Sequence, residues 1–76
     1  MTSRPQKHSV TLQGHRTSVS LEPEFWQAFR DISVEKNISI NALASEIDVS
    51  RDPGIGLASA IRLYVLHHYQ ARRSDA

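Results

Sequence analysis

The side chains of this chain able to do chemistry are ten serines, four histidines and a scatter of charged groups, and most of their spacings support none. No Gly-x-Ser-x-Gly elbow presents a serine as a nucleophile, and no candidate nucleophile has a recognisable base, so no catalytic residue is expected. Gly54-Ile55-Gly56 lacks a third glycine and is not framed by a strand and an acidic partner, which makes it a turn rather than a dinucleotide loop. His67 and His68 are adjacent and would point about 100° apart on a helix. They make a poor metal pair, and neither a metal nor a cofactor is expected. Asn37-Ile38-Ser39 has the form of a glycosylation sequon but reads better as a turn between helices. One spacing remains. In Arg16-Thr-Ser-Val-Ser-Leu21 polar and apolar residues alternate, and successive strand side chains face opposite ways. Arg16, Ser18 and Ser20 therefore share one face, and Thr17, Val19 and Leu21 share the other.

The elements that must position this row follow from breakers and periodicity. Residues 1–8 are polar, carry Pro5 and read as a flexible N-terminal arm. Residues 9–12 alternate and suit a short strand. Gln13-Gly14-His15 is a turn or bulge, and 16–21 is a strand with β-branched support. A first helix starts at Pro23, tolerated there because its missing N–H would be unpaired anyway. Phe25, Ala28, Phe29 and Ile32 form its apolar stripe, with Trp26 at the edge. It fades near Lys36, and Asn37 takes the left-handed position that ends many helices. Ser39 caps a second helix, whose buried face is Ile40, Leu43, Ala44 and Ile47 and which ends around Val49. Residues 50–56 are a loop dense in breakers. A third helix runs from Leu57 to about Tyr69, with Leu57, Ile61, Tyr64, Val65 and His68 on one face and Leu63 and Leu66 elsewhere. A helix apolar on more than one side wants more than one neighbour, which favours a dimer. The organisation expected is a single domain over 9–70, then a tail over 71–76.

Size and charge point the same way. A 76-residue chain that is 39% apolar buries little surface alone. With no cysteine to staple it, a partner chain is the remaining support. No apolar run approaches the length of a membrane span, and the first residues lack the apolar core of a secretory leader, so a cytoplasmic location is expected. The net charge is only +1, yet residues 1–20 carry +3 with no acid, 21–52 carry −4 and 53–76 carry +2. A dimer presenting two N-terminal segments on one face would make a basic patch.

The strand, helix, tight turn and capped helix are carried by Arg16-Thr-Ser-Val-Ser-Leu-Glu-Pro-Glu-Phe-Trp-Gln-Ala-Phe-Arg-Asp-Ile32 and Asn37-Ile-Ser-Ile-Asn-Ala-Leu43. Together they resemble the ribbon-helix-helix (MetJ/Arc-type) family of DNA-binding proteins. Gly14-His-Arg-Thr-Ser-Val19 ahead of Leu21-Glu-Pro-Glu24 is similar to a bacterial subgroup that adds a third helix like 57–69, which extends the resemblance over 9–69. The resemblance implies a mainly α chain with a ribbon-helix-helix fold and three helices. Its N-terminal strand segments would pair in an intertwined homodimer around a shared core of Val19, Leu21, Phe25, Phe29, Ile32, Leu43, Ile47, Ile61 and Val65. One strand from each chain would form a ribbon that the B-DNA major groove is wide enough to admit.

In that arrangement Arg16, Ser18 and Ser20 face base edges. Arg16 carries most of the readout, because a guanidinium pairs bidentately with guanine and serine discriminates less. The start of the second helix, at Ser39, Ile40 and Asn41, would bind a phosphate, with Lys7 and His15 as further phosphate contacts. Segment 9–12 leaves two arrangements open. It forms a hairpin with 16–21, giving a four-stranded dimer sheet and adding Ser9 and Thr11 to the exposed polar set, or 9–15 is an arm that orders over the phosphates through Lys7, His8 and His15.

The function implied is sequence-specific binding of double-stranded DNA as a homodimer, or a higher order on DNA, with transcriptional repression at palindromic or tandem half-sites. The alternatives are an antitoxin, for which about seven residues after the third helix make a short wrapping tail, and a protein-interaction module without a DNA role, which the low net charge leaves open.

Overall fold

The computed structural model describes residues 3–74, as two strands followed by three helices. Strands β1 (Gln6–Leu12) and β2 (His15–Leu21) pair antiparallel, so of the two arrangements the chain adopts the hairpin. Helices α1 (Pro23–Glu35), α2 (Ile40–Ser50) and α3 (Leu57–Ser74) complete it. Leu12 pairs with His15, leaving a two-residue connection in which Gln13 (φ 50°) and Gly14 (φ 86°) both have positive φ. Two such residues make a type I′ turn, whose twist matches that of the flanking strands.

Strand β1 starts earlier than its alternation suggests. Gln6, Lys7 and His8, expected in a flexible arm, are in the sheet. The segment before them is also engaged, since the Ser3 hydroxyl donates to Glu24 at 2.6 Å. The His8 imidazole lies flat on the Trp26 indole, with centroids 4.0 Å apart and planes 8° from parallel. Residues 1 and 2 of the expected arm and 75 and 76 of the expected tail lie outside the described residues.

The helix ends follow local chemistry. Asn37 (φ 60°) is left-handed, its N–H donates to the Val34 carbonyl and the Ile38 N–H donates to Ser33, each at 3.0 Å. This is the Schellman pattern that satisfies the last carbonyls of a helix. Ser39 then caps α2, its hydroxyl accepting from the Ala42 N–H at 3.0 Å. Arg51 holds the following loop by bonding Asp48 at 2.9 Å and the Ile55 carbonyl. Helix α3 runs past Tyr69 to Ser74, so most of the expected tail is helical; Arg72 reaches Glu35 of α1 at 3.4 Å.

Val10, Val19, Leu21, Phe29, Ile32, Leu43, Ala44, Ile47, Ile61 and Val65 are buried between the hairpin and the helices. Eight of the nine side chains expected in a shared dimer core are thus buried by the chain's own elements. Phe25 is half-buried, with the Arg62 guanidinium 5.9 Å above its ring. Thr17 shares a face with Val19 and Leu21, but it is exposed where the sheet runs out towards the turn.

Candidate nucleic-acid interface

Residues directly opposite one another in an antiparallel pair project from the same face of the sheet. The register therefore sorts every hairpin side chain. His8 opposite Val19 and Val10 opposite Thr17 face the helices, whereas Lys7 opposite Ser20, Ser9 opposite Ser18, and Thr11 opposite Arg16 face away. The structure brings Arg16, Ser18 and Ser20 together on one outward face, all exposed, and adds Lys7, Ser9 and Thr11 from β1. No acidic residue lies in either strand. The Arg16 Nη2 donates to the Ser9 hydroxyl at 3.1 Å, so the guanidinium lies across the hairpin. Val10, Val19 and Leu21 anchor the other face in the core, which holds the outward row on a packed support.

His15 does not join this row. It is opposite Leu12, on the helix-side face, because one step along a strand reverses the direction of the side chain. The expected grouping of His15 with Lys7 is therefore not formed.

The two outer edges of the hairpin differ. The Thr11 N–H donates to Asn41 Oδ1 at 2.9 Å, so it points away from β2. Antiparallel pairs alternate between bonded and non-bonded. Thr11–Arg16, Ser9–Ser18 and Lys7–Ser20 are accordingly the non-bonded pairs, and the backbone groups of Arg16, Ser18 and Ser20 point outwards from β2. Among the described residues no strand pairs with that edge of β2. At its far end the Ser20 carbonyl accepts from Arg62 Nη2 at 3.3 Å. The same guanidinium grips both oxygens of Glu22, Nε at 2.9 Å and Nη2 at 3.2 Å.

The start of α2 sits against the edge of β1 through that Asn41 bond. Ser39, Ile40 and Asn41 are together there, but their side chains are occupied: Ser39 caps, Asn41 holds Thr11, and Ile40 is half-buried against the core. What the helix start offers to an anion is the backbone N–H groups of Ile40 and Asn41, which have no intrahelical acceptor, the Ala42 N–H being taken by the Ser39 cap. The tie between Thr11 and Asn41 joins residues 30 apart in the chain, and no local pattern in the sequence signals it.

Glu22 and Glu24 stand where β2 leads into α1, and Glu46 of α2 lines a shallow pocket with Gln13 of the hairpin turn. The Arg62 hydrogen bond, with help from Glu22's own backbone, holds the Glu22 carboxyl below the ordinary glutamate value. The Ser3 hydroxyl does the same for Glu24. Both are thus ionised, and each is tied to a partner, Glu22 to Arg62 and Glu24 to Ser3. Among the described residues no three histidines or carboxylates gather as a metal ion requires, and no helix is long and apolar enough to cross a membrane.

A family model described as a ribbon-helix-helix domain matches residues 5–69, which takes in both strands, α1, α2 and most of α3. No curated protein and no solved structure matches the chain. The fold of that family is a DNA-binding and regulatory one rather than a catalytic one.

Proposed function

The chain belongs to the ribbon-helix-helix domain family, and from that premise we propose that it is a sequence-specific double-stranded DNA-binding protein that acts as a homodimer and represses transcription. The observation that carries this reading is the acid-free outward row of Arg16, Ser18 and Ser20 on the strand whose outer edge is unpaired. A second copy completes that edge. The outward backbone groups of β2 belong to Arg16, Ser18 and Ser20, so antiparallel pairing of two β2 strands is fullest with the two-fold axis at Ser18. Ser18 then faces its own copy and Arg16 faces Ser20 of the second copy, and a shift of one bonded pair leaves one group unmatched at each end. The Ser20 carbonyl has a second lone pair for this bond beside the one Arg62 uses.

The resulting sheet runs β1-β2-β2-β1. Its two central strands present Arg16, Ser18 and Ser20 twice to the major groove, where Arg16 pairs with guanine O6 and N7. The backbone N–H groups at the start of α2, at Ile40 and Asn41 behind the Ser39 cap, take a phosphate on each side. Lys7 adds a second phosphate contact. His15, on the opposite face, is left out of the contact set.

Selection of genomic fragments on the purified protein, followed by a salt titration of the best fragment, tests this function. An enriched palindromic or repeated motif bound far more tightly than random DNA is the expected result. Binding without an enriched motif would remove the sequence-specific reading. No binding at low salt would remove DNA altogether and leave the outward face to a protein partner.

A further inference from the structure

We infer that β1 is a second DNA-contact strand, which rides on the sugar-phosphate rims of the groove through Lys7, Ser9 and Thr11 while β2 reads the bases between them. The inference rests on the dimeric DNA-binding reading above and concerns what the outer strands do in it.

Width is the first argument. Neighbouring strands lie about 4.8 Å apart. In a β1-β2-β2-β1 sheet the β2 axes are therefore about 2.4 Å from the two-fold and the β1 axes about 7 Å from it. The major groove is about 12 Å wide, so its rims lie about 6 Å from its centre. The central pair fits inside, but four strands do not, and each β1 falls over a phosphate rim.

Chemistry is the second argument. The hairpin register puts Lys7, Ser9 and Thr11 on the same face as the β2 row. They are one cation and two hydroxyls, with no acid to repel a phosphate. Lysine and hydroxyl donors suit phosphate oxygens, whereas the hairpin's one arginine, the group able to read guanine bidentately, is on β2. The Arg16–Ser9 bond links the two rows. When Arg16 turns into the groove, the Ser9 hydroxyl is released at the rim. A two-stranded ribbon has no such outer row, so the hairpin extends the footprint sideways rather than along the DNA.

The test uses two probes of equal length, the best fragment from the genomic selection and a random-sequence duplex. Lys7→Gln should lower affinity by the same factor on both. It should also reduce the slope of log affinity against log salt by about 0.9 per lost phosphate contact, hence about 1.8 per dimer. Ser9→Ala with Thr11→Val, which keeps the β-branched shape, should lose several-fold on both probes alike. Arg16→Ala should instead collapse the ratio between the probes. A thermal melt of each variant separates these losses from unfolding. An unchanged salt slope for Lys7→Gln, or a loss confined to the selected fragment for any β1 variant, overturns the rim assignment. Failure of the wild-type protein to bind either probe shows before any variant is made, and it overturns the DNA-binding reading on which the assignment stands.

Discussion

On the inner face of the hairpin Val10, Val19 and Leu21 are 2%, 4% and 0% exposed, while Ser9, Ser18 and Ser20, one residue away along each strand, face solvent. The two faces are interleaved residue by residue, yet one is joined to the helical core and the other carries the exposed row that Arg16 spans to Ser9. The contrast assigns folding to one parity of the strand and leaves the other free for the recognition proposed above. It also makes the register the quantity that matters most, since a slip of one residue would exchange the two sets completely. Three devices hold it: the two-residue turn at Gln13-Gly14, the burial of Val10 opposite the exposed Thr17, and the Asn41 bond that closes the edge of β1. The last has a directional consequence. A sheet edge is a template for another strand; here α2 covers one edge, and among the described residues no strand covers the other, where the second copy is proposed to pair.

Changing one residue of each parity separates the two faces most directly. Leu21→Ala on the inner face should lower stability by about 2–5 kcal/mol in urea unfolding, because a fully buried leucine leaves both lost transfer energy and a cavity. Any DNA affinity lost with it should return when binding is corrected for the folded fraction. Arg16→Ala on the outward face should leave the unfolding free energy within about 0.5 kcal/mol of wild type and cost about 1–3 kcal/mol of binding, concentrated at one base position per half-site. Equal loss on every DNA sequence would show that Arg16 does not read a base.

How far this division could be read in advance depends on whether its cause was local. Pro23, Asn37 and Ser39 mark the starts and stops of α1 and α2 by chemistry within a few residues, and each stands where its residue type suggests. The parity of β2 was equally legible, from alternation alone. The first half of β1 was not. Gln6-Lys7-His8 has no apolar alternation, and it is held in the sheet by pairing with Val19, Ser20 and Leu21 and by stacking of His8 on Trp26. For the same reason the face of His15 became readable only with the register, and the last turns of α3 only with the contact of Arg72 on Glu35. Of the outward row, Arg16, Ser18 and Ser20 needed one strand, whereas Lys7, Ser9 and Thr11 needed two strands and a turn.

A smaller effect sharpens the contrast between the edges. Asn41→Ala should cost about 1 kcal/mol by leaving the Thr11 N–H without its acceptor. Asn41→Asp keeps an acceptor oxygen there and should recover most of that stability, while placing a negative charge where the phosphate is proposed to sit, so that DNA binding weakens on all sequences alike. Recovery of both properties would detach α2 from the DNA. Smaller again is the turn. Gln13 holds a positive φ that asparagine adopts more readily, so Gln13→Asn should raise stability by about 0.5 kcal/mol and leave the register and the outward row unchanged.

The smallest expected effect concerns Arg62, which joins α3 to the end of β2 through Glu22 and the Ser20 carbonyl. The folded-state pKa of Glu22 is below its ordinary 4.5, mainly because of the Arg62 hydrogen bond. A carboxylate depressed on folding contributes stability that is fully present above its unfolded pKa and is lost as pH falls through the folded one. Acid unfolding curves should therefore show stability declining below about pH 4.5. Arg62→Met, which keeps an unbranched apolar stem, should lower stability at neutral pH and flatten that decline. The side chains of both partners remain about a third exposed or less, at 31% and 26%, so solvent screens the pair and the change is modest. Glu24, depressed by Ser3 in the same window, leaves part of the decline in place. Ser3→Ala should remove the larger share of the Glu24 part and leave the Arg62-dependent part, so the two single variants separate the two ties to the start of α1. A decline of full size in Arg62→Met would mean that Glu22 owes its low pKa to its own backbone rather than to α3. The end of β2 would then be fixed by the core alone.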